Sequence, residues 1–147
     1  MKFETDHLSL IDYSPTHNQM LLRYTKEKEN LDFLFSSVFF LGRFVMNFKN
    51  CRVYRASESE IKEFEQSIYY GNLLSDQSLF IILSDYGKTW IGALGCKYQK
   101  NKLLPMETSI PIKNETPLSE GDILAIVETY RTTNELPKVE DNWITFV

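Results

Sequence analysis

One short motif in the chain is typical of phosphate binding. Gly87, Lys88 and Thr89 match the end of a P-loop, in which backbone N–H groups and a lysine hold the phosphates of a nucleotide. That motif requires another glycine five positions earlier, where this chain has Ile82, and it requires a helix after the threonine. A strand-like segment containing Trp90 follows instead. We therefore interpret the three residues as a hairpin turn, and they do not predict nucleotide binding.

The two histidines give no pattern for metal binding or acid–base catalysis. His7 and His17 flank the first predicted hairpin, and neither has a cysteine or carboxylate at the spacing of zinc ligands. His17 lies among turn residues, where a solvated imidazole is expected, so His7 is the better candidate for a site. The chain also lacks the Gly-x-Ser-x-Gly turn of a serine nucleophile. Catalytic residues are therefore unknown, and no metal and no cofactor are predicted.

Carboxylates are concentrated in the first predicted helix. Glu58 and Glu60 lie in its first turn, where negative charge complements the helix dipole by about 0.3–1 kcal/mol each. A solvated polar face accounts for the others. The functional alternative is an acidic surface for a basic protein partner. Its candidate residues are Glu58, Glu63 and Glu65, because Glu60 is already used in a capping box with Ser57.

The basic residues form one small group, Lys97, Lys100 and Lys102, interleaved with Tyr98. Lysines mixed with an aromatic side chain can follow a nucleic-acid backbone and stack on its bases. Lysines at the end of a hairpin also protect a sheet edge from aggregation, which is the more common role. Since the net charge is −4, we predict that nucleic acid is not the partner.

Cysteine usage and the apolar segments indicate a reduced, cytoplasmic protein. Cys51 and Cys96 each lie in an apolar, strand-like stretch, where a thiol behaves as a small buried hydrophobe. The N-terminal residues are charged, unlike a secretory signal. The most apolar segment, from Phe33 to Gly42, is too short to span a bilayer. We predict no membrane association and a cytoplasmic location.

Length and composition predict a single globular domain over residues 1–147. A chain of 147 residues with 43% apolar and 14% aromatic residues can bury a core without disulfides or metals. No internal repeat, low-complexity tract or long linker divides it.

Alternating apolar residues and turn formers predict mainly strands. The first two strands form a hairpin, and an aromatic, β-branched run then predicts one or two strands around Ser36 and Ser37. In a later strand, Gly92 and Gly95 predict places where another side chain approaches closely. The predicted strands are His7–Tyr13, Gln19–Thr25, Leu31–Leu41, Cys51–Ala56, Leu79–Leu83 and Thr89–Gln99.

Two helices are predicted. The first, Ser57–Tyr70, has a capping box, an apolar stripe of Ile61, Phe64 and Ile68, and Gly71 to end it. The second, at about Ser119–Arg131, follows helical periodicity, although its β-branched residues leave a strand open as the alternative. The predicted class is α+β, with a mostly antiparallel sheet and two helices.

Two functional hypotheses remain. The first is a small acidic protein-binding module, either a toxin-neutralising protein of the immunity type or an adaptor, which rests on size, charge and the missing catalytic signature. Its partner would be another protein, with a basic surface, and self-association is left open. The second is an enzyme or small-ligand-binding domain with an aromatic-lined pocket between sheet and helices. The first is favoured, so a non-enzymatic role is expected.

Overall fold

The computed structural model describes residues 2–110 and 143–147. Within them, nine strands form one antiparallel sheet and one helix packs on its outside. The elements are β1 (Lys2–Ser14), β2 (Gln19–Lys26), β3 (Glu29–Ser36), β4 (Phe40–Leu41), β5 (Asn47–Arg55), α1 (Glu58–Ser67), β6 (Ser78–Ser84), β7 (Gly87–Ala93), β8 (Gly95–Asn101) and β9 (Ile144–Thr145).

The predicted α+β class with two helices is wrong, because the described residues form one large sheet with a single short helix. Most of the predicted strands are present, but they pair edge to edge in one sheet. The sheet, and not packing between helices and sheet, therefore defines the fold class. The predicted second helix, at about Ser119–Arg131, lies outside the described residues.

The predicted first hairpin is confirmed. β1 and β2 pair from Ser14 opposite Gln19 to Ser9 opposite Arg23, with an irregularity at Ile11. The turn uses Asn18 at φ 48°, a left-handed conformation that asparagine adopts more readily than most residues. β2 then turns into β3, and this pairing places Arg23 directly opposite Asp32.

Two bent strands close the sheet into a ring. β3 continues into β4, and β7 continues into β8 after the single residue Leu94. β3 pairs with β8 while β4 pairs with β7, and Leu94 N–H donates to Ser36 O across the bend. The remaining pairings complete the ring. Its strands follow in the order β1, β2, β3 with its continuation β4, β8 with its continuation β7, then β6 and β5, and β5 pairs with β1 again. This ring leaves few free strand edges.

Close approach at the bend explains one of the glycines. A Cβ atom added to Gly92 would lie 2.6 Å from Phe39 Cε2, a distance that real side chains do not tolerate. Glycine therefore leaves room for the Phe39 ring against β7, which agrees with the close approach that the sequence predicted for this stretch.

Aromatic side chains fill the inside of the ring. Phe35 and Phe80, from strands that are not hydrogen-bonded to each other, have ring centroids 5.4 Å apart. Phe146 enters from the C-terminus and contacts Phe33 at 5.7 Å and Phe80 at 6.3 Å. These contacts across the ring show that its interior is the main core.

Helix α1 covers the outer face of β5, β6 and β7. Its capping box is confirmed, since Glu60 N–H donates to Ser57 Oγ while Ser57 N–H donates to the Glu60 carboxylate. Phe64 is fully buried and packs with Leu79, Ile81 and Trp90, as predicted for the apolar stripe. The helix ends at Ser67, three residues before the predicted end.

Candidate functional site

A row of buried polar side chains crosses the outer face of β2, β3 and β8. Arg23 lies opposite Asp32, and Asp32 lies opposite Gln99, so the three side chains share one face of the sheet. Arg23 is 1% exposed and Asp32 0%. Charged residues are almost never this deeply buried unless they are paired, so this row requires a specific explanation.

Arg23 and Asp32 form a bidentate ion pair. The Arg23 Nε–Asp32 Oδ1 distance is 2.6 Å, and the Arg23 Nη2–Asp32 Oδ2 distance is 2.8 Å. This fork geometry uses both carboxylate oxygens and leaves Arg23 Nη1 to donate elsewhere. Burying such a pair costs desolvation free energy, so it is weak evidence for stability by itself.

The pair is part of a network that holds the chain segment after β8. Asn101 Nδ2 and Ser109 Oγ both donate to Asp32 Oδ2. One row further along the same face, Asn30 Nδ2 donates to Leu103 O at 2.8 Å, and Asn30 is itself 3% exposed. Residues 101–109 are therefore attached to the sheet at several points by buried side chains.

Residues 103–107, which we call the docking loop, have several backbone groups held by hydrogen bonds, while the side chains of Leu104, Pro105 and Met106 are exposed. Arg23 Nη1 donates to Leu104 O at 3.0 Å. Glu107 N–H donates to the same carbonyl, and Leu104 N–H donates to the Glu107 carboxylate. The side chains of Leu104 and Met106 are 65% and 85% exposed. An apolar tip is thus presented to solvent by a fixed backbone.

Among residues 2–110 and 143–147, Gln99 Nε2 and Trp143 Nε1 are buried donors without a hydrogen-bond acceptor. Gln99 belongs to the polar row, and the β8–β9 register, with Tyr98 opposite Ile144, brings Trp143 beside it. Groups of this kind are uncommon in protein interiors, so they mark this edge of the polar row.

The three predicted partner-binding glutamates do not share one strip of α1. Successive residues of an α-helix are rotated by about 100°, so Glu63 and Glu65 point about 160° apart. Glu63 lies 3.4 Å from Lys88 Nζ. Glu65 accepts the backbone N–H of Leu73 at 2.7 Å, which fixes the chain after the helix. Glu58 is exposed, and its binding role stays a prediction, as do those of the other two.

Glu60 links α1 to the sheet. Its Oε1 accepts from Tyr54 Oη at 3.0 Å and lies 3.6 Å from Lys88 Nζ. Burial alone would raise the pKa of Glu60, but hydrogen bonds from Ser57 and Tyr54 and the charge of Lys88 outweigh it and lower the pKa. Burial, together with the Glu60 hydrogen bond, raises the pKa of Tyr54 to about 12. This cluster has a structural role in anchoring the helix.

Both cysteines are free and buried. Burial, assisted by the charges of Asp85 and Asp6, raises the pKa of Cys51 to about 11. Burial also raises the pKa of Cys96. A raised pKa keeps a thiol protonated at neutral pH, so neither side chain is an activated nucleophile.

The remaining candidates lie apart from one another. His7 contacts Asp6 and the ring of Tyr24, whereas His17 lies in the first hairpin turn. Gly87 is in the β6–β7 turn at φ 98°, so the P-loop interpretation is excluded by geometry.

Within residues 2–110 and 143–147, no cluster of three or more metal-ligating side chains occurs. Among those same residues, no helix has the length and apolarity to cross a membrane.

Two clefts among the described residues lie outside the space between sheet and helix. One, of about 460 Å³, opens at the rim of the ring between Phe3, Tyr24, Leu31 and Lys100. Another, of about 570 Å³, is a polar surface depression that includes Asp6, Cys51 and Asp85. Between sheet and helix, where the alternative hypothesis put an aromatic-lined pocket, Phe64 and Trp90 pack at 5.6 Å.

Sequence reasoning missed the Arg23–Asp32 network. Both residues occupy alternate positions of one-sided strands, where a polar residue normally faces solvent. A signal existed at Asp32, which interrupts an apolar run between Leu31 and Phe33. Only the register of β2 and β3 shows that its opposite residue is an arginine.

Comparison with known proteins adds no assignment. No family model matches the sequence, and no curated protein or solved structure gives a significant match.

Proposed function

We propose that this chain is a protein-binding module and that its docking loop is the primary contact with the partner. The observation that carries the proposal is the exposed apolar tip, Leu104 and Met106, held over a fully buried ion pair. Binding residues are concentrated on loops that a rigid scaffold positions.

Rigidity favours recognition for a thermodynamic reason. A loop already held in its bound conformation loses less conformational entropy on association. Here Arg23, Asn30 and Glu107 hold backbone groups of the loop, so the tip cannot move without breaking these hydrogen bonds, two of which are partly buried. Methionine at such a tip adapts its shape to an apolar pocket.

The titratable groups of the described residues support binding over catalysis. Arg23 and Asp32 neutralise each other, Glu60 caps a helix, and both thiols have raised pKa values. Within the binding role, the acidic net charge of −4 and the small size favour an immunity-type or adaptor protein. The free cysteines support a cytoplasmic location.

The test compares matched methionines. The purified chain is immobilised and exposed to extract of its host, and captured proteins are identified by mass. We expect the wild type and the Met46→Ser variant to retain a stoichiometric partner that Met106→Ser loses, because Met46 is also exposed, at 61%, but lies outside the loop. Equal retention of every captured protein by Met106→Ser would refute the loop as the contact.

A further inference from the structure

The docking loop adjoins a basic stretch in an otherwise acidic protein. Residues 97–102 contain three lysines and no carboxylate, whereas the whole chain has a net charge of −4. Lys97, Lys100 and Lys102 are all exposed. The loop itself carries one carboxylate, Glu107, so residues 97–107 together contain an apolar tip, three lysines and one carboxylate. The complement of this stretch is an apolar surface with negative charge.

A surface of that kind exists on the same protein. Residues 58–76, which we call the α1 surface, contain five carboxylates and one lysine, and Lys88 from β7 lies beside two of these carboxylates, Glu60 and Glu63. Within it, Tyr70 is 82% exposed and Leu74 is 65% exposed. Tyrosine is among the residues that most often dominate the binding energy of interfaces.

The backbone at Tyr70 closes the C-terminal end of the helix. Tyr70 has φ 54°, and Gly71 N–H donates to Glu65 O at 3.1 Å, so Tyr70 is the left-handed residue of the helix C-terminal turn. Glycine is the usual residue at such a position, and here it is a tyrosine whose ring is exposed. The exposed ring is therefore the feature that this surface offers for contact.

We propose that the docking loop of one copy binds the α1 surface of a second copy, head to tail. This inference rests on the proposed function and names the partner as another molecule of this chain. The loop lies over β2 and β3, while α1 covers β5, β6 and β7, so the two surfaces occupy separate arcs of the ring. They complement each other between molecules.

Head-to-tail contacts have a distinctive consequence. Each molecule retains one unused loop and one unused α1 surface, so assembly continues with rising concentration unless the geometry closes a small ring. Part of the attraction is between exposed charges and is screened over about 10 Å at 0.1 M salt. Added salt should therefore weaken the association.

The experiment uses the full chain and two variants in analytical ultracentrifugation, from about 10 µM to about 1 mM, the range of weak complexes. Met106→Ser removes the loop tip, and Tyr70→Gly removes the ring while keeping a left-handed backbone that glycine adopts readily. We expect the wild type to self-associate and each variant alone to self-associate at least about tenfold more weakly. An equimolar mixture of the two variants should form one-to-one dimers, because one intact interface remains.

Controls separate this inference from the proposed function. Met46→Ser should associate like the wild type. Leu104→Ser and Leu74→Ser repeat the test at each surface, and circular dichroism verifies that every variant is folded. A wild type that stays monomeric throughout, or a variant mixture without heterodimers, overturns the inference. After either of these two results, a different protein that the wild type captures and Met106→Ser loses would still support the proposed function.

Discussion

At the scale of single residues, the buried Arg23–Asp32 pair explains how charged side chains can lie buried against the sheet. Each charge has its counter-ion within 2.8 Å, and Asp32 Oδ2 also accepts hydrogen bonds from Asn101 and Ser109. The pair also determines where residues 103–107 lie, because Arg23 binds their carbonyl groups. The pair therefore positions the docking loop in addition to its effect on stability.

Removing one partner of the pair should be more harmful than removing both. Arg23→Met leaves Asp32 charged and buried, which typically costs about 3–5 kcal/mol of unfolding free energy. Arg23→Met combined with Asp32→Leu should recover a large part of that loss. Urea denaturation of the single and double variants measures this coupling.

An exposed ion pair provides the control for this experiment. Arg52 and Glu4 also form an ion pair, at 2.7 Å, but both side chains are exposed. Arg52→Met should cost at most about 1 kcal/mol. If Arg23→Met were equally mild, the ion pair would not be desolvated as the structure shows.

Burial of Cys51 predicts a pH dependence of stability. The pKa of Cys51 is raised from 9.0 to about 11, so the folded state binds the thiol proton more tightly than the unfolded state. That contribution is complete below pH 9 and is lost as pH rises through about 11. The stability difference between wild type and Cys51→Ala should therefore shrink over this window in denaturation series.

Val53→Ala provides the matched comparison for Cys51, since Val53 is buried on the same strand and does not titrate. Its cost should stay constant over the same pH range. A wild-type to Cys51→Ala difference that also stayed constant would show that the thiol is hydrated in the folded protein.

At the scale of elements, some residues of α1 have a structural role and others are available for the proposed binding role. Phe64 and Glu60 attach the helix to the sheet, while Glu58 and Glu63 extend into solvent. Glu65 accepts a hydrogen bond that glutamine can also accept. Amide substitution therefore removes charge and leaves the packing in place.

Replacing Glu58, Glu63 and Glu65 by glutamine should leave the free energy of unfolding within about 1 kcal/mol of wild type. Association with a basic partner, or of the chain with itself, should become slower and less dependent on salt, because exposed charges steer the encounter. Stopped-flow measurements at several salt concentrations give the rates. Glu4→Gln with Asp6→Asn is the control, because both residues are exposed on β1, outside the docking loop and α1. Equal salt slopes for both variants would contradict a role for α1.

At the scale of the whole molecule, the C-terminal residues 144–147 pair with β8 and add to the core of the ring. β9 pairs with β8, and Phe146 N–H donates to Cys96 O while its side chain enters the core. The last residues of the chain are thus packed against the first strands through Phe33, and the fold depends on contacts between distant parts of the sequence.

Phe146→Ala should lower the unfolding free energy by about 3–5 kcal/mol, because it leaves a cavity among rings inside the closed sheet. Ile144→Ala, at a residue 54% exposed in the same strand, should change it by less than about 1 kcal/mol. Thermal and urea denaturation measure both. A mild effect of Phe146→Ala would contradict the packing of this side chain in the core.

The sequence by itself determined the local elements. The capping box at Ser57 and Glu60 placed the start of α1, and alternation of apolar residues placed the hairpins, because both signals act over a few residues. Burial of both cysteines also followed from their apolar neighbours. The end of α1 was less certain, since Tyr70 and not Gly71 takes the left-handed conformation.

Tertiary structure alone decided the closure of the sheet and the site. β3 pairs with β8 across about sixty to seventy residues of sequence, from Ser36 opposite Gly95 to Asn30 opposite Asn101, and no local pattern specifies such a partner. Arg23 and Asp32 looked like solvent-facing residues because alternation tells which side of a strand a residue occupies, but not what covers that side. The loop that covers them comes from residues 101–109, which is why the network, the docking loop and the sheet class became visible only in three dimensions.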